Sequence, residues 1–175
     1  MISCGSRLRT RDGKTIRLTG YKTWPDSLAL EIYDGGGMVN ASNSVYISKD
    51  SCYTINQRED ATNIYTFKLN EGELDKLFKN IVDNNIEQLS TKHTNDVIYD
   101  KGTTSLTIML GKKRVNIADG ATERITEMHK GDFRTIYNLL ESLAKQKVSG
   151  LKQNCCFNFD KSMLLPGKCL SIICM

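Results

Sequence analysis

The chain has 175 residues, with 24 Lys and Arg against 20 Asp and Glu, six Cys, two His and two Pro, and it is 39% hydrophobic and 25% charged. These fractions lie near globular averages and exclude wholesale disorder, collagen, a long coiled coil and a membrane bundle. The length suits one domain that buries roughly 70% of its unfolded surface, and no run of apolar residues is long enough to span a bilayer as a helix.

The first segment is basic. Residues 1–24 hold Arg7, Arg9, Arg11, Lys14, Arg17 and Lys22 against Asp12 alone, whereas residues 25–150 are slightly acidic. A basic arm on an acidic body favours contact with an anionic surface, phospholipid or nucleic acid, through a sequence-independent Coulomb attraction; a solvated tether is the plainer reading. Arg7, Arg9, Arg11, Lys14 and Arg17 are the residues expected to make that contact. The Asp12-Gly13 pair offers a hairpin turn, but pairing around it would mix charged and apolar groups on one face, so the arm is expected to be mobile. Ahead of it, Ile2-Ser3-Cys4-Gly5-Ser6 resembles the end of a bacterial lipobox. That resemblance implies lipid attachment at Cys4, with the polar stretch behind it as a tether. The residues before Cys4 show no basic or apolar signal-peptide region. The expected location is therefore the cell envelope, periplasmic or outer-membrane, if a signal segment precedes residue 1, and the cytoplasm otherwise.

From residue 25 the pattern is periodic. Leu28, Leu30 and Ile32 alternate along a half-buried strand that ends in the turn Asp34-Gly35-Gly36-Gly37. Val45-Tyr46-Ile47 and Tyr53-Thr54-Ile55 are short strand-forming runs about the turn Ser48 to Ser51, and Ile64 to Leu69 forms another. Such short links predict three or four antiparallel strands.

Asn70-Glu71-Gly72-Glu73 has the form of a capping box. Behind it Leu74, Leu77, Phe78, Ile81 and Val82 form the best helical stripe in the chain, which Asn84-Asn85 should end. After a polar connection from Thr91 to Gly102, Leu106, Ile108 and Leu110 alternate. Gly111-Lys112 then suits a two-residue turn into Arg114 to Ile117. Asp132 is the expected cap of a second helix whose inner face is Phe133, Ile136, Tyr137, Leu140, Leu143 and Ala144. Two helices cannot cover both faces of about six strands. The fold class expected is α+β: two layers, a mostly antiparallel sheet with two amphipathic helices on one face. The divisions are an arm at 1–24, a domain at 25–148 and a Cys-rich appendage at 149–175.

Chemical signatures are thin. Cys155, Cys156, Cys169 and Cys174 lack the knuckle spacing of a zinc site; they would be disulfides after export and thiols in a cytosol, and no prenylation box ends the chain. His93, Asp96 and Asp100 read as loop residues rather than metal ligands. His129 beside Lys130 reads as exposed. The glycines at 35–37 lack what a phosphate loop needs, and Asn40-Ala41-Ser42 matters as a glycosylation triplet only in a eukaryotic secretory route. No catalytic residue, metal or cofactor is expected.

The segments Asp34 to Met38, Tyr46 to Cys52 and Phe67 to Asp75, with the closing strand pair and helix, resemble small exported bacterial domains of unknown function, many of them lipoproteins of the Bacteroidetes type. The resemblance covers roughly residues 26–147 in layout. It implies a non-enzymatic binding or structural domain with Cys4 as anchor, the sheet face opposite the helices as contact surface, and an unknown protein or glycan partner. A cytoplasmic nucleic-acid binder using the basic arm with Lys112, Lys113 and Arg114 is the alternative, without an exposed aromatic series to support it. A small hydrolase using His93 or His129 is the third reading.

Overall fold

The computed structural model describes residues 16–157 except Val39, Asp60 and Tyr99, and only the backbone of 151–157. The first four strands, β1 (Leu28–Gly35), β2 (Ala41–Ser48), β3 (Cys52–Arg58) and β4 (Ala61–Phe67), form an antiparallel meander. Helix α1 (Glu71–Asp83), a 3-10 turn (Ile86–Gln88) and a short strand β5 (Thr91–His93) follow. Then come β6 (Thr103–Leu110), β7 (Lys113–Asp119), β8 (Glu123–Ile125), a second 3-10 turn (Glu127–His129) and helix α2 (Lys130–Phe157).

The main sheet has six strands in the order β4-β3-β2-β1-β6-β7, and β5 pairs with β8 in a small second sheet. Among the described strands of the main sheet, the pairing that joins strands not consecutive in sequence is β1 with β6, which places Leu30 opposite Ile108 and Ile32 opposite Leu106. Together with Val45, Ile47, Cys52, Phe67, Val115 and Ile117 these residues form one apolar sheet face. Leu74, Leu77, Phe78 and Ile81 of α1 and Phe133, Ile136, Leu140 and Ala144 of α2 belong to the same core. This is the expected α+β architecture, with both helices on one face of an antiparallel sheet.

Local signals act where the spacing placed them. Asn70 accepts from the Glu73 amide at 2.9 Å and the Glu73 carboxylate accepts from the Asn70 amide at 3.0 Å, so both halves of the capping box are made. Asn84 is the C-cap of α1. Gly111 has φ +57° in the tight β6–β7 turn, where a residue without Cβ avoids steric cost.

Four expectations change. Cys4, Arg7, Arg9, Arg11 and Lys14 lie outside the described residues, but the end of the segment read as an arm is built into the body: Ile16 and Leu18 are completely buried and Trp24 is nearly so. The Glu87 carboxylate accepts from the Leu18 and Thr19 amides, Asp75 accepts from the Trp24 amide at 2.9 Å, and the Trp24 ring meets Phe78 edge-on. Isolated apolar residues between charges carry no periodic signal, so this docking is invisible to pattern reading. The boundary at 149 falls inside α2, which runs on to Phe157. Asp132 lies in the first turn of α2 rather than capping it, because the 3-10 turn at Glu127–His129 leads directly into the helix. His129 is buried in that turn, only 5% exposed.

Candidate binding site

On the helix side of the sheet the inward-pointing residues fall into rows. One row runs Phe67, Cys52, Ile47, Leu30, Ile108, Val115, and the next runs Tyr65, Thr54, Val45, Ile32, Leu106, Ile117. The following row is Asn63, Asn56, Asn43, Asp34, Thr104, Asp119. The apolar face thus turns polar along one line crossing all six strands. Thr104 donates to Asp34 at 3.3 Å and Lys101 pairs with Asp119 at 2.6 Å, so the β1, β6 and β7 end of this row is internally satisfied. Among the described residues no hydrogen bond ties up the side-chain amides of Asn43, Asn56 and Asn63 or the Arg58 guanidinium.

Those free groups line an open cavity of about 560 Å³, with Asp34, Gly36 and Gly102 at its β1 and β6 side. A second cavity of about 230 Å³ shares Asn43 and Asn56 with it and runs under α2, walled by Glu141, Ala144, Lys145 and Val148. Thr54 lies on its floor, 6% exposed, and its hydroxyl has no hydrogen-bond partner. A buried hydroxyl left unpaired costs about 1–3 kcal/mol. Nearby, burial pushes the Tyr137 phenol above its usual range, with the Asp34 and Glu141 carboxylates adding to the shift.

The opposite sheet face carries one row of Thr66, Tyr53, Tyr46, Glu31, Thr107 and Asn116 and another of Ile64, Ile55, Ser44, Tyr33, Ser105 and Ala118. The Tyr46 and Tyr53 rings stack at 4.9 Å and 11°. Tyr33 and Ile64 are exposed. Three tyrosines, Tyr46 and Tyr53 half-buried and Tyr33 exposed, thus come together on this face, a grouping that spacing does not show because residues from three separate segments meet only once the strands pair. Burial and the Glu31 charge hold the Tyr53 phenol above its ordinary value.

Of the residues expected to meet an anionic surface, Arg17 is the one within the described part, and it is exposed. Lys112, Lys113 and Arg114 are exposed at the β6–β7 turn, and Arg114 approaches Glu31 at 3.8 Å. His93 stands 3.7 Å from Glu123. Among the described residues no group of three His, Cys, Asp or Glu side chains is placed to hold a metal ion, and no helix is long and apolar enough to cross a membrane. Cys52 is a buried free thiol whose pKa is raised by burial. No protein-family model matches the chain, and no curated protein matches it.

Proposed function

We propose that the chain is a non-enzymatic binding domain held at a bacterial cell envelope by a lipid on Cys4, presenting the helix-free sheet face to a protein partner. The observation that carries the binding role is that face itself: Tyr33, Tyr46, Tyr53, Ile55 and Ile64 sit on adjacent strands with no described helix over them. Aromatic side chains bring large contact area at low entropic cost, which is why they dominate recognition surfaces. The anchor rests on the Ile2 to Ser6 pattern, and the basic residues between it and the body suit an anionic membrane surface. Fractionation of host cells with intact mass of the native protein tests the anchor. A membrane-bound species beginning at Cys4 with an added diacylglyceryl mass supports it; a soluble species with unmodified Cys4 removes it.

One observation favours a second reading, single-stranded nucleic-acid binding. Tyrosines on neighbouring strands of an open sheet face are how several RNA-binding folds stack bases. The chain would then use Tyr33, Tyr46 and Tyr53 with Arg17, Lys112, Lys113 and Arg114. Retention of a single-stranded oligonucleotide that weakens steeply with salt supports this reading, and absent or salt-insensitive binding ends it.

A further inference from the structure

The groove on the helix side is separate from the face just assigned to a partner. Its floor is a ladder of three asparagines, Asn63, Asn56 and Asn43, joined to Asp34 on neighbouring strands. Strand spacing spreads these four side chains over roughly 14 Å. The two cavities, about 560 and 230 Å³, share Asn43 and Asn56 in their lining, and the larger has the size of a small-molecule site. At the inner end the Thr54 hydroxyl is buried, unpartnered and part of the lining.

The lining narrows the ligand by chemistry. Asp34 and Glu141 are offset by Arg58 and Lys145, so the described lining carries no net formal charge with which to select an anion or a cation. Among the described residues its apolar side chains, Ala41, Val45, Ala144 and Val148, are small and form no pocket for a large hydrophobic anchor. Among the described residues no aromatic ring lines it for base stacking. The ladder begins at Asn63 on the edge strand β4 and runs inward across β3, β2 and β1, so a peptide added to that edge as a strand would lie beside Asn63 and not along Asn56, Asn43 and Asp34. What remains is a row of amides, each offering two donors and an acceptor, beside carboxylates and the hydroxyls of Thr54, Ser42 and Ser149. That set matches a ligand made of closely spaced neutral hydroxyls.

We infer that the groove formed by Asp34, Asn43, Asn56, Asn63 and Arg58, ending at the buried Thr54 hydroxyl, binds a short neutral oligosaccharide. The asparagine amides engage successive hydroxyls along the ladder, and Thr54 pairs with a hydroxyl or hydroxymethyl group inserted under α2. This inference does not depend on the lipid anchor or on the opposite face.

The test is amide-resolved NMR titration of the full chain with three neutral tetramers: β-1,4-linked glucose, α-1,4-linked glucose and β-1,4-linked N-acetylglucosamine. Saturable shifts from one of them, confined to residues 41–43, 54–58 and 102 and to the adjoining turn of α2, are expected. Asn56→Ala and Asn43→Ala should each weaken that binding by about tenfold or more, as loss of an amide contact would. Thr54→Val keeps the shape of the side chain, and should weaken it with the fold intact. Lys79→Ala, at an exposed position of α1, should leave it unchanged. Three results each overturn the inference: no response to any tetramer at millimolar concentration, binding that survives both asparagine substitutions, or shifts that map to the tyrosine face.

Discussion

The buried hydroxyl of Thr54 is the clearest case of a residue whose identity packing does not explain. Between Val45 and Tyr65, under Ala144 and Val148, a valine would fill the same space without burying a polar atom. Thr54→Val is therefore expected to be neutral or stabilising by roughly 0–1 kcal/mol in urea unfolding, since an unpaired group is removed at constant shape. A clear loss of stability would show that the hydroxyl is satisfied within the folded chain. Gly35 presents the opposite situation. A Cβ there would lie 2.5 Å from the Ser42 Cβ and 2.6 Å from the Tyr33 hydroxyl, because the Tyr33 side chain folds back over the glycine two residues along its own strand. Gly35→Ala should cost about 1–3 kcal/mol as an overpacking substitution, measured as a lower urea midpoint. An unchanged midpoint would mean that both neighbours move freely. Sequence reading saw Gly35 only as part of a turn, because the ring that needs its bare backbone comes from the same strand face and leaves no trace in spacing.

At the scale of elements, α1 is tied at its first turn both to its own cap and to α2. Lys147 of α2 reaches Glu73 at 2.5 Å, while Glu73 also accepts from the Asn70 amide. The Lys147 contact first, and the Asn70 amide second, hold the Glu73 carboxyl below its ordinary value of 4.5. A depressed carboxyl pKa contributes stability that is present above the unfolded value and lost as pH falls through the folded one. Gln can still complete a capping box, so Glu73→Gln isolates the charge. The variant should be less stable than the native chain at neutral pH, and the gap should close as pH falls below that ordinary value in paired urea titrations. A gap that persists in acid would assign the effect to packing. Asn70→Ala, which removes the other half of the box, should cost about 1 kcal/mol across that whole range.

The same helix shows what was legible in the sequence. The capping box, the helical stripe, the alternation of Leu28, Leu30 and Ile32 and the Gly111 turn are short-range signals, and each formed as spacing placed it. The groove was hidden for the same reason. Asn43, Asn56 and Asn63 lie at strand ends that look like loop, and only strand register puts them in one row. Strands β5 and β8, three residues each, were likewise too short to carry a period.

For the whole molecule the question is where the folded body begins. A basic tether ending at residue 24 would be dispensable, yet Ile16 and Leu18 contribute completely buried side chains to the core shared by both helices and the sheet. Glu87, just beyond α1, accepts from the Leu18 and Thr19 amides, and Trp24 closes the segment by donating its indole N–H to the Leu28 carbonyl at 3.2 Å. The segment thus bridges the α1 end of the molecule to the start of the central strand β1. A core leucine cut to alanine loses its transfer energy and leaves a cavity, so Leu18→Ala should cost about 2–5 kcal/mol. A chain beginning at residue 25 should lose far more and fail to show a cooperative urea transition. If the chain from residue 25 unfolds at the native midpoint, the segment is a tether after all; if Leu18→Ala and that truncation both destabilise, any charge-mediated contact with an anionic surface is made by an arm whose base is fixed to the core, and Arg17 projects from a rigid position.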